Sequence, residues 1–254
     1  MSSTTGRLQG KRAIVTGAAG ALGRVIAETL AKEGADVAGL DLNAAGLDDT
    51  AALVRSHGTR ALSATADLTD FDAVQKAVDG IVAEWGGVDI LLNGAGGGAV
   101  SFFHEMTHET WTTQIDRNLT SVFNVTRAVL PSMLEQESGR IISIASIAAV
   151  SGGRLVRGAT AYAAAKAGVV GLTKALAIEV AESGITVNAL APGAQATPGR
   201  DNDTPERREA LLDQIPTRLL GRPEHLAQTV VFLAAEESVN ITGLILPLDG
   251  GHSI

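Results

Sequence analysis

The run Ala161-Tyr162-Ala163-Ala164-Ala165-Lys166 sets a phenol and an ammonium four positions apart in an alanine-rich stretch. Alanine is the strongest helix former, and residues i and i+4 share one helical face, so the spacing holds the Lys166 charge near the Tyr162 hydroxyl. A neighbouring cation favours the phenolate. A tyrosine whose pKa falls from its ordinary value of about 10 towards neutrality becomes a usable proton acceptor or donor. Tyr162 is the only tyrosine in the chain. The same spacing also occurs on exposed helices that do no chemistry, so the pair acquires meaning only from the elements that position it.

Those elements begin with an apolar run, Lys11 to Thr16, then the glycine-rich turn Gly17-Ala18-Ala19-Gly20-Ala21-Leu22-Gly23 and a helical pattern from Arg24 to Gly34. A second strand, Asp36 to Asp41, ends in an acid. Glycines let a backbone approach a pyrophosphate, a helix N-terminus presents free N–H groups to it, and an acid at this distance can bind a ribose diol. The alternation continues with helices over 44–57, 70–85, 108–133, 160–182 and 223–235, and strands over 60–66, 88–92, 140–145, 185–190 and 244–248. Unbroken alternation predicts an α/β, single-domain Rossmann fold across 1–254, a doubly wound seven-stranded parallel sheet with helices on both faces. The polar excursion over 194–220, rich in Pro, Asp and Arg, reads as an active-site lid or a surface insert.

Bulk properties narrow the function classes. With 45% hydrophobic residues in 254, the chain has enough apolar material for one large core. A net charge of −8 gives no general attraction to nucleic acid or to acidic membrane surfaces. The absence of cysteine excludes disulfides and thiolate metal sites. The polar start, Met1 to Lys11, and the lack of any apolar run of about 20 residues lead us to expect a soluble cytoplasmic protein. His104-Glu105-Met106-Thr107-His108 spells the His-Glu-x-x-His zinc pattern, which requires both histidines on one helical face. Thr107 reads instead as a helix N-cap with His104 outside and His108 inside, so no metal site is expected.

Taken together, these features resemble the short-chain dehydrogenase/reductase family from about Leu8 to Gly251. The family's Thr-Gly-x-x-x-Gly-x-Gly turn is matched by Thr16, Gly17 and Gly23, with Ala21 at the middle glycine and Gly20 one position earlier. Asp67, in Asp-Leu-Thr-Asp, is similar to the family residue beside the adenine ring. Asn93-Gly94-Ala95-Gly96 is similar to its Asn-Asn-Ala-Gly element, with Gly in place of the second Asn. Ala191-Pro192-Gly193 and Thr197 resemble the loop over the nicotinamide, and Thr242-Gly243 with Asp249-Gly250-Gly251 the last strand and its exit.

The resemblance implies a catalytic set of Asn118, Ser146, Tyr162 and Lys166. Tyr162 exchanges the proton with the substrate oxygen and Ser146 orients that oxygen. Lys166 lowers the Tyr162 pKa and contacts the nicotinamide ribose, and Asn118 supports a proton path. It implies cofactor contacts from Gly17, Gly20, Ala21, Leu22 and Gly23 in the turn, from Asp41 and Leu42, and from Asp67 and Leu68. Further contacts are implied from Asn93, Gly94 and Ala95, from Pro192, Gly193 and Thr197, and from Tyr162 and Lys166. By the same analogy the chain forms a homotetramer through the helices over 108–133 and 160–182.

Asp41 would accept hydrogen bonds from a ribose diol and repel a 2′-phosphate, and neither Leu42-Asn43 nor Ala18 to Gly20 offers an Arg or Lys to hold such a phosphate. NAD is therefore expected over NADP, and with it alcohol oxidation. Fifteen residues separate Ser146 from Tyr162, more than is usual in the family, leaving Ser151 as the alternative to Ser146. Arg154, Arg157, Arg200, Arg207 and Arg208 are either ligands for a substrate carboxylate or phosphate, or solvated loop residues. The reading is an NAD-dependent dehydrogenase of a small-molecule secondary alcohol or alicyclic diol. The alternatives are a 3-oxoacyl thioester reductase and a non-enzymatic dinucleotide-binding regulator.

Overall fold

The structure, a computed structural model, describes residues 6–152 and 157–254. The apolar runs form β1 (Arg12–Thr16), β2 (Asp36–Asp41), β3 (Ala61–Thr65), β4 (Ile90–Asn93), β5 (Gly139–Ile144), β6 (Ile185–Pro192) and β7 (Ile245–Leu248). All pairings are parallel, in the order β3-β2-β1-β4-β5-β6-β7. Every residue of β4, β5 and β6 is buried, as a parallel sheet covered on both faces requires.

The helices are α1 (Ala21–Lys32), α2 (Ala44–Ser56), α3 (Phe71–Trp85), α4 (His108–Ile115), α5 (Ser121–Glu135), α6 (Ala148–Ser151), α7 (Thr160–Val180), α8 (Pro205–Leu212) and α9 (Pro223–Ala234). Successive strand residues point to opposite faces, and the core divides accordingly. Val15, Leu92 and Ile142 pack with Ile26 and Leu30 of α1, Leu47 of α2 and Val230 of α9. Their neighbours Ile14, Leu91 and Ile141 pack with Val78 of α3, Val129 of α5 and Ala177 of α7. The doubly wound parallel sheet expected from the alternation is present.

Strand order reverses between β1 and β4, which pair directly with Ile14 opposite Leu91. Connections leave this point in both directions and open a crevice at the carboxyl ends of the strands, where open α/β sheets bind ligands. No helix among the described residues is long and apolar enough to cross a membrane.

Three departures from the expected elements bear on the site. The helix expected over 108–133 is interrupted by π-helical turns at Asp116–Thr120, where the Ser121 N–H reaches the Asp116 carbonyl five residues back. The loop after β5 contains the short helix α6. The excursion over 194–220 carries a 3-10 turn, Pro198–Arg200, and α8. Its two ends are tied together: the Gly221 N–H donates to the Ala194 carbonyl at 2.9 Å and the Ala196 N–H to the Gly221 carbonyl at 2.8 Å.

Candidate active site

The carboxyl ends of β1, β2 and β4 and the start of α1 enclose a cavity of about 420 Å³. Its floor requires glycine. Gly17 has φ +70°, and a Cβ there would lie 2.9 Å from the Ala95 Cα; a Cβ on Gly23 would lie 2.1 Å from the Gly17 carbonyl oxygen. Gly20 caps α1 with extended backbone and no side-chain hydrogen bond, and no acid occupies the first turn, so the helix N-terminus keeps its N–H groups available. Ala21 is the first helical residue and lines the cavity beside Leu22.

At the end of β2, Asp41 accepts hydrogen bonds from the Ala19 N–H at 3.2 Å and the Asn43 N–H at 3.0 Å, which fixes its carboxylate on the cavity wall next to Leu42. Asp67 and Leu68 form the adjoining wall. Hydrogen bonds from the backbone and hydroxyl of Thr69 hold the Asp67 carboxyl below its ordinary pKa, with a further contribution from the Arg117 charge. The N–H groups of Gly94 and Ala95 both donate to the Thr16 hydroxyl, at 3.0 and 3.2 Å, and Thr197 contributes to the wall from the excursion.

Asn93 ends β4. Its side chain is buried and donates to Thr126 Oγ1 at 3.0 Å and Ser143 Oγ at 3.3 Å, bracing β4 against α5 and β5 away from the cavity. Arg117 and Ser121 also line the cavity, brought there by the π-helical turns. Sequence reasoning missed both, because an extra residue in a helical turn leaves the surrounding apolar period intact.

Tyr162 is half-buried near the start of α7, and Lys166, one turn on, is 3% exposed. Lys166 Nζ donates to the Ile144 carbonyl at 2.7 Å and lies 5.8 Å from the centroid of the Tyr162 ring. Burial lowers the Lys166 pKa to about 8. Burial also raises the Tyr162 pKa, opposed by a hydrogen bond with Ser146. The depression of Tyr162 by Lys166 expected from the spacing is not present in the chain by itself. The ammonium is turned towards a β5 carbonyl, and desolvation of the phenol dominates.

Ser146 follows β5 and accepts the Ala148 N–H at 3.1 Å. Ser151 instead donates to the Ile147 carbonyl at 2.9 Å within the α6 turn, so Ser146 is the serine that stands with Tyr162. Asn118 is fully buried in the π-helical segment. It accepts the Gly97 N–H at 3.0 Å and donates to the carbonyls of Gly97 and Gln114 at 3.0 and 2.9 Å. A Cβ on Gly96 would meet Asn118 Oδ1 at 2.6 Å and Lys166 Nζ at 3.4 Å, which shows how closely the β4 exit, Asn118 and Lys166 converge.

A second cavity, of about 350 Å³, opens from Ser146. Pro192 and Gly193, expected among the cofactor contacts, line this cavity rather than the first. Ala194, Arg200, the α8 residues Arg207, Ala210 and Leu211, and Gln214 just beyond that helix complete it. Arg157 is exposed and, like Arg208, lines neither cavity; Arg154 lies outside the described residues. Thr107 caps α4 by accepting the Thr110 N–H at 3.0 Å, so His104 precedes the helix and His108 begins it, as the capping argument predicts.

The chain belongs to the short-chain dehydrogenase family, whose model matches residues 11–208. It is therefore an oxidoreductase of a family that binds a nicotinamide dinucleotide. It is 37% identical to a 3-oxoacyl-acyl-carrier-protein reductase from Thermotoga maritima, with 96% of this chain and 98% of that protein covered. It is 42% identical to nodulation protein G from Azospirillum brasilense, with 95% and 97% covered. A variant of actinorhodin polyketide ketoreductase, solved with NADPH, superposes with a TM-score of 0.90 at 35% identity, covering 96% of this chain and 97% of that one. The first cavity fits a dinucleotide on its own geometry: a tight glycine turn in which Gly17 and Gly23 leave no room for a Cβ, a helix N-terminus without a side-chain cap, and a carboxylate at the end of β2.

Proposed function

We propose that the chain is an NAD-dependent dehydrogenase that oxidises a secondary alcohol to a ketone. The observation that carries the choice of cofactor is Asp41. Its carboxylate is held on the cavity wall by two backbone N–H groups, where it would accept hydrogen bonds from an adenosine ribose diol and repel a 2′-phosphate. The turn that faces it, Ala18 to Gly20, offers no cation in compensation.

A nicotinamide dinucleotide held by the glycine turn, Asp41 and Asp67 would supply the hydride acceptor. The residues of this chain do the rest. Ser146, close enough to Tyr162 to oppose the rise of its pKa, donates to and orients the alcohol oxygen. Tyr162 in its phenolate form accepts the hydroxyl proton as the carbinol hydrogen leaves as hydride, so the products are ketone and neutral tyrosine. Lys166 contributes charge beside the ring, and Asn118 holds the backbone at Gly97, next to the Gly96 that Lys166 approaches. In this reading the chain is one dinucleotide-binding and catalytic unit. The apolar Phe123 of α5 and Ile178 of α7, 52% and 82% exposed, support assembly of a homotetramer through those helices.

A second reading, reduction of a 3-oxoacyl thioester with NADPH, is favoured by the names of several relatives and by the NADPH in the structural neighbour. Initial rates with NAD and NADP over a panel of secondary alcohols and dihydrodiols, and with NADH and NADPH on acetoacetyl thioesters, separate the two. We expect at least a tenfold preference for NAD in kcat/KM, equivalent to about 1.4 kcal/mol, and loss of that preference in Asp41→Ala. Faster thioester reduction with NADPH than any alcohol oxidation with NAD would establish the second reading instead.

A further inference from the structure

We propose that the alcohol oxidised at Ser146 and Tyr162 carries a carboxylate, held by Arg200 and Arg207 in the second cavity. This rests on the dehydrogenase reading above and names its substrate class, a short hydroxy acid. The cavity is lined by Ser146, beside which the reacting oxygen must sit, and by residues of the excursion over 194–220. From there Arg200, at the end of the 3-10 turn, and Arg207, on α8, both reach the lining.

The two guanidinium groups are organised by one acid. Arg200 Nη1 lies 3.2 Å from Asp203 Oδ2, and Arg207 Nε lies 3.3 Å from Asp203 Oδ1. The Asp203 side chain is 12% exposed and anchors both guanidinium groups from behind the lining, while Arg200 and Arg207 are 32% and 77% exposed. A guanidinium has five N–H donors, so bridging to Asp203 leaves most of each fork unused. Two positive groups and one negative group leave one net positive charge here. That matches a monoanionic carboxylate and would leave a dianionic phosphate half compensated. Ala210 and Leu211 offer an apolar lining suited to a short carbon chain, and about 350 Å³ lies at the small end of ligand sites.

Three neutral and anionic probes test the assignment. Initial rates with NAD are compared for 3-hydroxybutanoate, its uncharged methyl ester and a secondary alcohol bearing a phosphate ester at similar length. We expect kcat/KM for the acid to exceed that of the ester at least tenfold. In R200Q this ratio should collapse towards one, chiefly through KM, with R207Q giving a smaller change in the same direction. The exposed Arg207 provides the variant that folds if R200Q does not.

A second measurement works without turnover. Butanoate binding to the NADH-loaded chain is followed by calorimetry in parent, R200Q and R207Q, with inorganic phosphate as the comparison anion. If no alcohol is oxidised, the dehydrogenase reading fails, yet butanoate affinity that falls at least tenfold in R200Q still upholds the anion subsite. Equal rates on acid and ester, no butanoate binding, or tighter binding of phosphate than of butanoate each overturns the carboxylate assignment.

Discussion

The cavity over β1 and the centre between β5 and α7 sit on the same sheet edge and are built in opposite ways. The cavity is made of backbone. Its glycines fold into the turn without strain, and its acids Asp41 and Asp67 each accept hydrogen bonds from neighbouring N–H groups. Ending a parallel strand beside a helix N-terminus already produces such a site, so cofactor binding demands little that the fold does not provide. The reaction centre is made of side chains that folding resists burying. Lys166 is 3% exposed with a single carbonyl partner among the described residues, and Tyr162 is held above its ordinary pKa by burial. Binding is placed where the architecture is permissive, and chemistry where it is under load.

The largest effect that would break this contrast is at Tyr162. Tyr162→Phe removes the proton acceptor while keeping the ring, so kcat should fall by about 10³-fold, within the range of a lost general base. NADH affinity, read by nicotinamide fluorescence, should change by less than about threefold, because the cavity is built by other elements. A variant with near-parental kcat would remove Tyr162 from the chemistry. Parallel loss of NADH binding would show that the two regions are not separable.

Gly23→Ala addresses the other side. The new Cβ would meet the Gly17 carbonyl oxygen at 2.1 Å, and the obstruction is backbone that no rotamer change relieves. Overpacking of this kind costs about 1–3 kcal/mol, and the displaced turn should weaken NADH binding at least tenfold. Thermal unfolding and the same fluorescence titration measure both quantities. Unchanged affinity would mean that the turn does not contact the dinucleotide.

The same contrast separates what the sequence made legible from what it did not. The strand–turn–helix at 12–32, the acid ending β2 and the alternation around seven strands are local patterns, and each appears within about three residues of its expected place. The motif marks Asn93 without showing that its amide joins Thr126 and Ser143, 33 and 50 residues away, contacts that no local pattern encodes. The π-helical turns that bury Asn118 were invisible because the apolar period of α4 resumes in α5. Pro192 ends β6 and Gly193 follows it at the carboxyl edge, and which cavity they line depends on the path of the excursion that carries α8. The spacing of Tyr162 and Lys166 established proximity and not direction. The carbonyl that draws the ammonium away comes from Ile144, on another element.

Lys166 therefore offers the sharpest test of load at the reaction centre, with the smallest expected effect. Its folded pKa of about 8 lies below the ordinary 10.5, so between those values the unfolded chain binds more protons than the folded one and stability rises with pH. Below pH 8 both states are protonated and burial of the ammonium costs a constant amount, on the order of 3 kcal/mol. Lys166→Met removes that cost but leaves the Ile144 carbonyl without its donor, a loss of about 1 kcal/mol. The variant should thus be more stable than the parent by about 2 kcal/mol at pH 7, while its dehydrogenase activity falls. Near pH 9.5 the parent has recovered about 2 kcal/mol by releasing the proton, and the gap should close. Urea unfolding of both proteins at the two pH values measures it. A variant less stable at pH 7, by an amount that does not change with pH, would show that the buried ammonium is fully compensated and that the reaction centre carries no such load.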